Sequence, residues 1–216
     1  MLCLNANAQK TEWNTEFQSE YIDISGISTL REPSQIITIQ YTNRKFFLDA
    51  YYSFSWADVG KTIQSYAGPG IIFNNRSGDK SLAFKTDFAF NRVIGDASFI
   101  RPMLLAKWKL NTLHTLSFVG WHFWDTRRKN SESIDGLTAY ISHDFQYPLA
   151  AWKISNEVRT VFSLIYGRRD VIGITDDFKF VHLRSRAYFL ANAGYTFYAS
   201  DGSRKFIWNV GAGITF

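Results

Sequence analysis

Cysteine occurs once and proline four times in 216 residues, and uninterrupted apolar runs reach only four or five residues, as at Met103-Leu104-Leu105-Ala106. A single cysteine excludes a disulfide scaffold and the usual thiolate zinc site. Runs that short exclude a membrane-crossing helix, which needs about 20 apolar residues in succession. Charge is sparse and mixed: 24 Lys and Arg against 19 Asp and Glu give a net +5 without a basic tail. The one tight basic cluster, Arg127-Arg128-Lys129, has no nucleic-acid-binding motif beside it, so no nucleic-acid partner is expected. What the chain has instead is aromatic residues, 19 Phe, 11 Tyr and 7 Trp, within a 46% hydrophobic composition too apolar for a disordered chain.

Near the start, Ala6-Asn7-Ala8 follows an apolar stretch and has the small-x-small form of a signal-peptide cleavage site. Residues 1–8 therefore read as a signal-peptide remnant that carries Cys3 away, and 9–216 as a single domain.

The hydrophobic period is two along most of the chain. Phe46, Leu48, Ala50, Tyr52, Phe54 and Trp56 alternate with Phe47, Asp49, Tyr51, Ser53 and Ser55; the pattern returns over 81–91, 152–166 and 205–216. Alternating segments of 11 to 15 residues exceed the ~5 to 6 typical of soluble sheets and suit tilted membrane strands. Their apolar faces begin and end in aromatics, as an interfacial girdle requires. Lipid offers no water to a free strand edge, so such a sheet must close. The expected fold is all-β, a closed antiparallel transmembrane β-barrel in the bacterial outer membrane, with lipid as its surroundings.

Twelve strands are expected, over 13–25, 34–43, 45–57, 66–75, 81–92, 98–109, 113–125, 136–147, 150–168, 178–186, 187–198 and 204–216. Ten is the alternative, because Gly68-Pro69-Gly70 reads as a turn and no turn signal divides 178–198. Short connections near 43–45, 110–112 and 147–149 fall at one end. Longer ones at 26–33, 126–135, 170–177 and 199–203 fall at the other, the outer end of such barrels. The Trp121 to Trp124 cluster reads as part of the girdle.

On this register the interior receives a charged but mixed set with aromatics among it. Candidate solute-binding residues are Phe47, Asp49, Tyr51, Lys85, Asp87, Arg101, Tyr140, Glu157 and Arg159. Mixed charge interleaved with aromatic faces suits a small solute with a flat ring and hydroxyls. The same charges could also pair among themselves and fill a small barrel.

Three stretches resemble the nucleoside-specific channel-forming outer-membrane proteins of the Tsx type. They are Ile37-Thr38-Ile39-Gln40-Tyr41 with Asn43-Arg44-Lys45 and Phe46 to Tyr52; Asp135-Gly136 leading through Tyr140 and Phe145 to Tyr147-Pro148-Leu149; and the glycine-bearing last strand ending in Phe216. The resemblance implies a twelve-stranded monomeric channel that passes nucleosides by diffusion, with Phe47, Asp49 and Tyr51 within a matched motif. A terminal Phe on an alternating strand also resembles the signal read by the barrel-assembly machinery. Two rivals stand beside the channel: a sealed structural or adhesive barrel, and a lipid-modifying barrel enzyme. The enzyme needs a nucleophile and a base within reach of each other, and Ser142 and His143, adjacent on one strand, face opposite ways. No catalytic residue is expected. His114 and His122 share a face but lie more than about 25 Å apart along one strand, so no metal site or cofactor is expected either.

Overall fold

The computed structural model describes residues 9–22, 29–58, 61–75, 77–92, 97–126, 134–166, 169–202 and 205–216. Residues 1–8, the expected signal-peptide remnant, and the Arg127-Arg128-Lys129 cluster lie outside them. Among the described residues there is no helix; twelve antiparallel strands close into one barrel. They are β1 (Lys10–Gln18), β4 (Ser34–Asn43), β5 (Phe46–Ser55), β6 (Thr62–Asn74), β7 (Lys80–Asn91), β8 (Ala97–Lys109), β9 (His114–Asp125), β10 (Gly136–Leu149), β11 (Trp152–Ile165), β12 (Arg169–His182), β13 (Ala187–Ala199) and β14 (Phe206–Thr215). A two-residue ribbon, β2 (Tyr21–Ile22) with β3 (Thr29–Leu30), stands in the first long connection.

Closure is made by β1, which pairs with β4 on one side and β14 on the other. At that seam Phe216 N–H donates to the Trp13 carbonyl at 2.8 Å and the two rings stack 4.0 Å apart. Every backbone edge is thereby paired, which is what the hydrocarbon demands.

The expected alternation decides which face meets lipid. Phe46, Phe84, Phe88, Phe206 and Trp208 are exposed on the outside, whereas Phe47, Lys85, Asp87 and Asn209 are buried inside. Exposed Trp13, Phe46, Trp108 and Trp152 mark one rim, and Phe17, Trp56, Trp124 and Tyr166 the other. Short connections (44–45, 75–79, 110–113, 150–151 and 183–186) lie at the first rim and longer ones (19–33 and 126–135 among them) at the second. The first rim is therefore periplasmic and the second external.

Three sequence expectations are corrected. Residues 170–177 are not a connection but the middle of β12, and the hairpin that follows lies at 183–186, inside the expected strand 178–186. That turn lacks glycine and proline: Arg186 takes φ 57° and donates its N–H to the His182 carbonyl at 2.8 Å, so it carries no compositional mark. Gly68-Pro69-Gly70 is not a turn but the centre of β6. Pro69 points outward opposite Leu48, and the ladder to β7 skips Gly68 and Pro69, where the proline has no N–H to give. A Cβ on Gly68 would stand 2.2 Å from the Thr86 carbonyl oxygen and 2.5 Å from Asp87, so the glycine admits the neighbouring charged cluster. Gly68→Ala should destabilise the barrel by about 1–3 kcal/mol, read from the urea midpoint of the folded band on unheated gels. Finally, Trp121 is buried in the interior and only Trp124 belongs to the girdle. Strand parity separates them: Trp121 lies on the face of Val119 and Phe123.

Candidate functional site

The interior sorts into three zones. In the wall of β5 to β8, Asp87 is fully buried and salt-bridges Lys85 (2.9 Å) and Arg101 (2.8 Å), while Lys85 also reaches Asp49 (2.6 Å). The Tyr66 ring lies 4.4 Å from the Lys85 ammonium and 4.8 Å from the Arg101 guanidinium, and stacks on Tyr51 at 5.0 Å. Burial makes each charge depend on its partners, so this network cross-links four strands and is saturated by itself. Phe47 is buried against Ile72 and Ala83. Among the expected solute-binding residues, Lys85, Asp87, Arg101 and Phe47 thus stand within the packed wall.

The second zone is a cavity of about 970 Å³, lined by Tyr51, Tyr140, Glu157 and Arg159 among others. Its lining includes Lys10, Glu12, Lys153 and Arg186 at the periplasmic rim, which fixes the side to which it opens. Arg184 is exposed in the 183–186 turn. Around the ring of strands β11 stands six places from β5, so two walls face each other across the space. One wall is neutral, with Thr38, Gln40 and Tyr51. The other is charged: Arg159 bridges Glu157 (2.6 Å) and Asp177 (2.5 Å) and lies 5.5 Å from the Tyr140 ring centre. Beside it the Lys179 ammonium sits 4.0 Å from the Tyr188 ring centre, and the Tyr188 hydroxyl donates to Glu16 at 2.9 Å. Such a pair of walls can hold a flat group on one side and hydrogen-bond a polar group on the other.

Glu16, Asp144, Asp177 and Lys179 were not expected in the lining. Asp177 and Lys179 share an inward parity with Thr175 and Val181, which was a usable signal, but Asp176 on the opposite face interrupts the apolar period beside them.

The third zone is the external half of the interior, which is packed. Phe99, Trp121, Phe123 and Ile134 form one buried cluster, Val161, Val171 and Ala199 another, and Tyr21, Ile36 and Ile63 a third. Tyr21 comes from the first external connection, donates its hydroxyl to the buried Gln64 and accepts from the Tyr51 hydroxyl at 3.3 Å. As expected, Ser142 is buried inside while His143 is exposed outside, so the two do not form a nucleophile and base.

No protein-family model and no curated protein sequence matches the chain. Solved structures do. An outer-membrane channel of the COG4313 group from Pseudomonas putida F1 is similar at a TM-score of 0.61 and 12% identity, over 98% of both chains. A KdgM porin, solved in complex with disordered oligogalacturonate, is similar at 0.59 and 11% identity, over 95% of this chain and 98% of its own. The fold is an outer-membrane β-barrel. With its apolar exterior and aromatic rims, the chain belongs in the bacterial outer membrane.

Proposed function

We propose that this barrel is a passive outer-membrane channel for small polar solutes, with nucleosides its favoured substrate. The observation that carries the reading is the two-walled cavity, which sets Tyr51 across from the Glu157, Arg159 and Asp177 group. Stacking on an aromatic ring is worth about 1–3 kcal/mol per base, enough to retain a solute briefly without trapping it. Among the cavity's charged lining residues are five acids (Glu12, Glu16, Asp144, Glu157, Asp177) and five bases (Lys10, Lys153, Arg159, Lys179, Arg186). That balance favours an uncharged solute over a polyanion such as the oligogalacturonate of the KdgM complex. The Tsx-type resemblance over three stretches of the chain supports the same choice, and of the residues within its matched motif, Phe47, Asp49 and Tyr51, it is Tyr51 that lines the cavity. Phe216, stacked on Trp13 at the seam, is the residue proposed to be read by the assembly machinery before closure.

Liposomes carrying the protein should swell faster in adenosine than in a sugar of equal mass. Tyr51→Ala should weaken adenosine's competition with the sugar roughly tenfold, the loss of one stacking contact. Equal swelling in both solutes would remove the nucleoside preference. A second reading, a sealed structural or adhesive barrel, draws on the packed external half; absence of any swelling or bilayer conductance would favour it.

A further inference from the structure

On β12 the lipid-facing side chains run Ile174, Asp176, Phe178 and Phe180, and all four are exposed. Asp176 is the seventh or eighth position from either end of a 14-residue strand, which places a carboxylate in the centre of the apolar band. Among the described residues it receives one side-chain hydrogen bond, from the Asn156 amide of β11. His143 of β10 and Asp176 both stand opposite Val158 of β11 in the ladder, and His143 is likewise exposed and near the centre of its strand. His143 pairs with His114 of β9 at 3.0 Å. Three neighbouring strands, β10 to β12, therefore present His143, Asn156 and Asp176 on a surface otherwise built for hydrocarbon, with His114, the first residue of β9, at the periplasmic rim beside them.

Polar groups in that band are costly against lipid and are found facing protein or one another. We propose that the outer surface of β10–β12 is an interface between two copies of this chain. A two-fold axis along the membrane normal beside β11 keeps both copies in one orientation and at one depth. It sets the His143 strand of each copy against the Asp176 strand of the other, donor side against acceptor side. Asn156 has two amide hydrogens and gives one to its own Asp176, leaving the second for the partner copy. Small side chains flank the patch: Ala193 stands opposite Asp176 and Ala191 opposite Phe178, which lets the two walls approach. The patch supplies amide and imidazole donors as well as a carboxylate acceptor, so the operation satisfies it without a different partner. A dimer departs from the monomer that the Tsx-type resemblance implies, and it is independent of whether the interior conducts.

The test uses the full chain in its native membrane. Val158→Cys, combined with Cys3→Ser, should form a cross-linked dimer with a short bismaleimide; Ala50→Cys, central on the opposite strand β5, should not. Adding Asp176→Leu to the Val158→Cys chain should lower the cross-linked fraction roughly tenfold or more, with the folded band on unheated gels confirming an intact barrel. Failure of Val158→Cys to cross-link, equal cross-linking from both positions, a product containing a different protein, or a dimer indifferent to Asp176→Leu would each overturn the proposal.

Discussion

Asp87→Ala is expected to destabilise the barrel by about 3–5 kcal/mol, the loss that follows when one partner is removed from a buried ion pair. Asp87 is fully buried and takes two hydrogen bonds from Arg101 (2.8 and 3.0 Å) as well as the Lys85 salt bridge at 2.9 Å. Without it Lys85 keeps Asp49, but Arg101, itself only 5% exposed, loses the carboxylate that holds it. An unpaired buried guanidinium is worse than none, because its desolvation is no longer offset. Asp87→Ala with Arg101→Met should therefore recover most of the loss. Urea titrations of the folded band give both values and their coupling. If the single variant unfolds at the wild-type midpoint, the network does not hold β7 and β8 together as argued.

The largest functional change is expected from Tyr21→Ala, which should raise bilayer conductance severalfold. The Tyr21 ring is fully buried with Ile36 and Ile63 just beyond Tyr51, at the external end of the cavity. Its segment is fastened independently of that ring. Tyr21 N–H donates to the Glu32 carbonyl at 3.1 Å, Asn209 donates to the Glu20 carbonyl at 2.7 Å, and Arg92 salt-bridges Glu32 at 2.6 Å. Truncation therefore opens volume without releasing the connection. Tyr21→Phe keeps the ring and should conduct like the wild type, while stranding Gln64 at a stability loss of about 1–3 kcal/mol. Wild-type conductance from Tyr21→Ala would place the narrowing among Phe99, Trp121 and Phe123 instead.

The residues that could be read in sequence and those that could not differ in one physical respect. Face assignment was legible wherever a strand alternates cleanly, as in β5 and β7, because a strand puts successive side chains on opposite sides. It failed at β12, where Asp176 carries polarity onto the lipid face, and at β6, where inward glycines imitate a turn. The 183–186 hairpin was hidden because its left-handed residue is Arg186 and not glycine. Within the candidate site, Tyr51, Tyr140, Glu157 and Arg159 were named from parity and line the cavity. Lys85, Asp87 and Arg101 have the same parity and the same residue types, yet they are spent on one another.

The sequence by itself determined a closed antiparallel barrel with its greasy side outward, since a period of two over long segments leaves lipid only one face to meet; the choice of twelve strands over ten came from the structure. Tertiary structure alone decided which interior charges remain around open space. That depends on which strands stand beside each other and how deep each side chain sits: neighbours on β7 and β8 neutralise one another in a packed wall, whereas β11 and β5 face across a gap. Alternation records the face of a residue and is silent about its distance from residues on other strands.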